Sequence, residues 1–264
     1  MLAVANYHYI REDFSAEYQS IFGLTPKQFR TQLEALSREG HFISQDRLLE
    51  FRNREFDRNY ILVTFDDGLK EQYELAKPIL NHMGIPFLFF INTSNFQERS
   101  VSLVHKIHLL RSRICSKDLL KELEASASAL TSEEKKWGEA HYNYDDRETA
   151  QLKYLLNFKL KLSEQREFID PLFQKVFDEQ QIAASLYFDK DMLRQLSAED
   201  SLGSHSHHHL PLGGLDSGKL KDELERSQDF FQKEFGIRSS SSHFSMFGVT
   251  SFCTNCFTLC RKIS

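Results

Sequence analysis

Two adjacent aspartates, Asp66 and Asp67, close an apolar run, Tyr60-Ile61-Leu62-Val63-Thr64-Phe65, and are followed by Gly68. β-Branched and aromatic residues dominate the run, which reads as a buried strand. Side chains alternate along a strand, so carboxylates at its end can be aimed at different tasks, one holding a cation and one handling a proton. Neighbouring buried carboxylates raise each other's pKa, a cost that a nearby cation relieves. Nitrogen ligands for such a cation occur in Ser204-His205-Ser206-His207-His208-His209. His205 and His209, four apart, would share one face of a helical turn. With Asp67 they make a set of one carboxylate and two imidazoles, which leaves a position for water as catalytic zinc-type sites require. Taken alone, four histidines in five residues fit a solvated loop or an adventitious metal binder as well. The aspartate pair at a strand end favours a native site. His207 and His208 fall outside the set and are expected to face solvent.

The donor chemistry, nitrogen and oxygen of borderline hardness, suits a divalent metal, zinc first, with cobalt or nickel admissible. No Gly-x-Ser-x-Gly elbow occurs, so metal-activated water is expected rather than a covalent nucleophile.

The elements that position these residues read as repeated strand and helix. Ala5 to Tyr9 belongs to an opening strand. Thr25 and Pro26 start a helix carrying Phe29, Leu33 and Leu36 on one face, closed by Gly40. His41 to Phe51 reads as a short strand and turn. A helix from Leu69 to Met83 follows the aspartates, and Phe87-Leu88-Phe89-Phe90-Ile91 reads as a buried parallel strand. Between 100 and 185 the leucines and phenylalanines fall at helical spacing. Trp137, Tyr142 and Tyr144 lie there in a polar stretch, where aromatic faces could stack on a sugar, although local packing is the commoner use. Ala183 to Asp189 reads as a return strand and Asp191 to Leu196 as a short helix. Leu220, Leu224 and Phe231 mark the apolar face of a last helix.

The 264 residues fit one large α/β domain with an insertion, and 41% hydrophobic content supports a substantial core. A net charge of −5 favours neither nucleic acid nor an anionic membrane. No stretch approaches the ~20 apolar residues of a membrane span. Met1 to Tyr7 lacks the basic head and apolar core of a secretory signal, so a cytoplasmic location is expected. Of four cysteines, Cys253, Cys256 and Cys260 fall near the end, where a thiolate metal site would lack an evident fourth ligand.

At Thr64-Phe65-Asp66-Asp67-Gly68 and at His205, Ser206 and His209 the chain resembles the polysaccharide deacetylase (NodB-like) family of carbohydrate esterases. Softer similarity extends to Ala5-Asn6-Tyr7-His8-Tyr9 and to Leu215–Gly236, where Glu223, Ser227 and Phe230 recur at helical spacing. The resemblance implies a distorted (β/α) barrel formed by 1–99 and 186–264, with a helical insertion at 100–185. It implies that Asp66 is the catalytic base and that Asp67, His205 and His209 hold the metal. The implied reaction is removal of N-acetyl groups from an amino sugar or polysaccharide. His8 could line such a site from the first strand, although a histidine in the core or behind the ligands is the commoner reading.

The tail departs from the family. Ser242 to Gly248 resembles a segment that usually reads Phe-Ser-x-Pro-Phe-Gly, without its proline. The family's later Leu-x-His-type segment, source of the general acid, has no counterpart after Gly248. His243 is a weak substitute as proton donor. The expectation is a C-terminally truncated chain. Its alternatives are a catalytically impaired metal-binding remnant and a non-enzymatic binding protein.

Overall fold

The computed structural model describes residues 1–51, 54–126 and 129–236. His243, Cys253, Cys256 and Cys260 lie outside the described residues.

The chain divides into two compact units. The first comprises Met1–Asp13, Gly23–Ser100 and Gln180–Ser264. Its strands are β1 (Leu2–Tyr7), β2 (His41–Phe42), β3 (Tyr60–Phe65), β4 (Phe87–Ile91) and β5 (Leu202–Ser204). Its helices are α1 (Pro26–Glu39), α2 (Gln45–Leu49), α3 (Lys77–Met83), α4 (Thr93–Gln97), α10 (Glu179–Leu186), α11 (Lys190–Ala198) and α12 (Ser217–Phe235). The second unit, Phe14–Phe22 with Val101–Glu179, holds α5 (Leu103–Arg111), α6 (Ser116–Ser126), α7 (Ser132–His141), α8 (Arg147–Tyr154) and α9 (Leu162–Val176).

All strand pairs in the first unit are parallel, in the order β1-β3-β4-β5, with β2 also on β3. This is an α/β fold whose strands are joined through helices, as parallel pairing demands. Strand β3 is buried at every position, which is why it reads as a continuous apolar run. The core gathers Phe29 and Leu33 of α1, Val63 and Phe65 of β3, Phe89 and Ile91 of β4, and Phe230 and Phe231 of α12. Phe65 and Phe89 are tilted rings with centroids 4.8 Å apart. The last core residue of β3 thus sits directly beneath the aspartate pair.

Several local expectations change. Gly40 is extended (φ −172°), so its use is space, not a left-handed cap: a Cβ would come 3.0 Å from the Asn59 carbonyl oxygen. Residues 45–49 form a helix where a turn is expected, because Ser44 caps it from its side chain. Glu179–Leu186 is a helix rather than a return strand; its Gln and Ala content favours that choice. Only Tyr187 bridges, to Leu69. Gln72–Ala76 is a π-type turn within the helix after the aspartates. On α12 the buried positions are Glu223, Ser227, Phe230 and Phe231, while Leu220 and Leu224 stay partly exposed.

The second unit packs Leu119, Leu123, Leu130, Leu152, Leu155 and Leu156 around its own core. Trp137 remains 47% exposed with its ring stacked on His141, at 4.7 Å between centroids, so it serves local packing. Among the described residues, no helix is long and apolar enough to cross a membrane.

Candidate metal centre

The end of β3 delivers the aspartates through backbone bonding. The Asp66 N–H donates to the Tyr7 carbonyl at 3.1 Å, prolonging the β1–β3 ladder by one residue. The buried Gln72 donates from Nε2 to the Asp66 carbonyl at 2.6 Å and to the His8 carbonyl at 2.8 Å. Asp67 then turns into the left-handed region (φ 79°), as does Gly68 (φ 65°). Gly68 has a second constraint, because a Cβ would lie 2.7 Å from Ile91 Cγ2. A non-glycine residue in this region costs on the order of 1–3 kcal/mol, so the surroundings must hold Asp67 there.

Strand β5 delivers the histidines. His205 N–H donates to the Ile91 carbonyl at 2.8 Å, and the chain then leaves the sheet. The histidines do not lie on a helical turn. Ser206 (φ 70°) and His209 (φ 58°) are both left-handed, and the loop between them bends at His207 and His208. Three of the five non-glycine residues with positive φ among the described residues are therefore Asp67, Ser206 and His209.

Within this frame Asp67, His205 and His209 offer ligand atoms that all lie within 4.8 Å of one another. Asp67 Oδ1 is 3.2 Å from His209 Nε2 and 3.8 Å from His205 Nε2. A tetrahedral ion with bonds of about 2.0–2.1 Å spaces its ligands roughly 3.3 Å apart. The donor set thus fits a divalent metal in both chemistry and spacing. Asp66 is fully buried, with Oδ2 3.8 Å from His205 Nε2 and 3.8 Å from His8 Nε2. Asn6 Nδ2 donates to Asp66 Oδ2 at 3.1 Å, and Thr64 Oγ1 donates to Asn6 Oδ1 at 2.7 Å. That chain fixes Asp66; neither it nor Gln72 is among the site residues that the sequence nominates. A polar Asn6 and Thr64 facing each other in apolar strands was the available signal.

The imidazoles differ electrostatically. Burial lowers the pKa of His205 more than the charges of Asp66 and Asp67 raise it, which keeps the ring neutral and ready to bind a metal. Burial also opposes the charged form of His209, but the hydrogen bond and charge of Asp67, with Asp66 behind, outweigh it and raise the pKa.

His207 does not face solvent, and His208 is only partly exposed. His207 is fully buried, with Nδ1 2.7 Å from Thr93 Oγ1 and Nε2 3.2 Å from Glu98 Oε1. His208 Nδ1 bonds Glu223 Oε1, and Arg226 Nη1 lies 3.2 Å from His208 Nε2. Arginine has no acceptor, so His208 Nε2 accepts and Nδ1 carries the proton that Glu223 receives. Glu98, His207 and His208 also bring donor atoms within 4.8 Å of one another. There, however, Arg226 Nη2 already lies 2.7 Å from Glu98 Oε1, and the guanidinium supplies the positive charge.

A family model described as polysaccharide deacetylase matches residues 53–133, a segment that contains Asp66 and Asp67 and ends before the histidines. Beyond that segment, the aspartates and the histidines, the two motifs of the resemblance, are assembled at one place. Similar solved structures include IcaB from Ammonifex degensii, at 14% identity over 99% of this chain and 80% of that one, with a TM-score of 0.45. The Streptococcus pyogenes deacetylase PplD in complex with acetate is 15% identical over 99% of this chain and 80% of that one, with a TM-score of 0.44. A de-N-acetylase from Aggregatibacter actinomycetemcomitans is 12% identical over 90% of this chain and 76% of that one, with a TM-score of 0.46. No curated protein sequence matches the chain.

Proposed function

We propose that this chain is a metal-dependent hydrolase that removes N-acetyl groups from an amino sugar or polysaccharide. The observation that carries the reading is the meeting of Asp67, His205 and His209 around one point, with the buried Asp66 beside them. Zinc is the metal of choice for such a set, with cobalt and nickel as substitutes.

Asp67, His205 and His209 would hold the metal. When bound, it would supply Lewis-acid polarisation of the acetyl carbonyl and a lowered pKa for attacking water. Asp66 takes the proton from that water as general base, and its carboxylate is kept in place by Asn6 and, through the backbone, by Gln72. His205, kept neutral by burial, offers a nitrogen lone pair rather than a proton. His209 must lose its proton to solvent before it can bind, so metal affinity rises with pH through the raised His209 value.

The test is acetate release from N-acetylated glucosamine oligomers by the purified chain, with and without a chelator. Release that is lost on chelation and restored by zinc supports the reading. A folded, metal-loaded chain that releases no acetate favours a catalytically impaired remnant instead.

A further inference from the structure

The ligand-bearing loop is held by two elements, one on its carbonyls and one on its N–H groups. On the carbonyl side, Asn92 Nδ2 donates to His205 O at 2.5 Å, Thr93 N–H to Ser206 O at 3.2 Å and Ser94 N–H to His207 O at 3.0 Å. On the N–H side the acceptors come from α12 or through it. His207 N–H and His208 N–H both donate to Glu223 Oε2, at 3.2 and 2.8 Å. Ser206 N–H donates to Ser204 Oγ at 3.2 Å, and that hydroxyl is 2.5 Å from Ser227 Oγ. Glu223 and Ser227 are four apart, on one face of α12. Both are buried, 2% and 1% exposed, on the face where a helix ordinarily carries apolar side chains.

Burying a carboxylate is costly, and an apolar residue of similar volume would often pack as well or better. What the carboxylate adds is direction. Two converging N–H groups and the His208 ring lock the His207–His208 dipeptide from one side. The two histidines that flank it, His205 and His209, are then turned towards Asp67. The left-handed residues Ser206 and His209 need such a clamp, since neither conformation is favourable in itself.

We infer that Glu223 is a positioning residue for the metal centre, acting from α12 through the backbone of His207 and His208 to set the geometry of His205 and His209. This rests on the metal-site reading above, and the experiment separates the two. Hydrogen–deuterium exchange of the metal-free full chain is compared between wild type and Glu223→Gln, and zinc affinity is measured by calorimetry on the same samples. Gln is nearly isosteric and keeps an acceptor oxygen, so the fold survives while the charge is lost. The expected result is at least tenfold faster exchange across 204–210, with β3 unchanged, and a zinc affinity lower by about 10–100-fold, the usual cost of losing a group behind a metal ligand. Glu223→Asp, one methylene short, is expected to resemble Glu223→Gln.

Wild-type exchange in the loop of Glu223→Gln overturns the inference. So does faster exchange that extends equally through β3, which would assign Glu223 to general packing. If wild type itself binds no zinc, the metal-site reading fails, while the exchange comparison still decides whether Glu223 clamps the loop.

Discussion

Four histidines stand within five residues, yet they divide into two pairs with opposite surroundings. His205 and His209 face Asp67, with each other, Asp66 and His8 as further ionisable neighbours. His207 and His208, between them, face Glu98, Glu223 and the guanidinium of Arg226. Residue type is the same in both pairs, so it decides nothing. The backbone decides, through left-handed turns at Ser206 and His209 and through the anchors on either side of the loop. A ligand pair needs nitrogen lone pairs aimed at one point. A structural pair needs every ring nitrogen already engaged, as at His207.

The largest effect that should follow is on the ligand face. Asp67→Ala is expected to abolish acetate release and to weaken zinc binding by more than the roughly 10–100-fold that losing a supporting residue costs; calorimetry and an activity assay would check both. Retention of tight zinc binding would put the metal elsewhere. Asp66→Asn sharpens the picture next. It should keep the metal and lose about 10²–10⁴ in rate, the typical worth of a general base, and a variant that kept full activity would remove Asp66 from that role.

On the structural face the expected effect is smaller and depends on pH. Burial raises the pKa of Glu223, but its bonds to the ring and backbone of His208 outweigh this and bring it below the ordinary 4.5. A lowered carboxylate contributes stability that is present above its unfolded value and lost as pH falls through the folded value. The loop 204–210 should therefore resist local opening better in wild type than in Glu223→Gln above pH 4.5, by roughly 1.5–3 kcal/mol for bonds to a charged group. The two should converge in more acid solution. Hydrogen exchange of the loop across pH, with rates corrected for intrinsic exchange, would reveal this, and a constant difference at all pH values would count against it. Least of all, and common to both faces, Gly203→Ala should destabilise by about 1–3 kcal/mol through overpacking, since its Cβ would lie 2.6 Å from Phe90 Cε1. An unfolding midpoint unchanged by that substitution would contradict the close packing of β5 on β4.

The ligand face was legible in the sequence and the structural face was not, for a physical reason. The strand before Asp66 announces itself by a local run, and Thr25-Pro26 announces α1 by its capping chemistry. Asp67, His205 and His209 were singled out by residue type together with spacing and the strand-end aspartates, and the structure brings the three together. The partners of His207 and His208 are more distant, with Glu98 109 positions from His207 and Glu223 15 from His208. Nothing local in a His-His dipeptide says which carboxylate it will meet. The expected helical turn failed because four-residue spacing also fits a loop that bends between two left-handed residues. The expected strand at 183–189 failed because Ala183 and Ala184 continue a helix that begins upstream with the helix-favouring Gln180 and Gln181. Polar positions on α12 were noticed at helical spacing, but their burial, which makes them anchors, is a tertiary property.

The most direct measurement is zinc stoichiometry and affinity for two double variants beside wild type, His205→Gln with His209→Gln, and His207→Gln with His208→Gln. The division of the loop into a ligand face and a structural face predicts one tightly bound zinc in wild type. It predicts one in the His207/His208 variant, with lower affinity, and none in the His205/His209 variant. Loss of zinc from the His207/His208 variant alone, with the His205/His209 variant binding as wild type does, would contradict it.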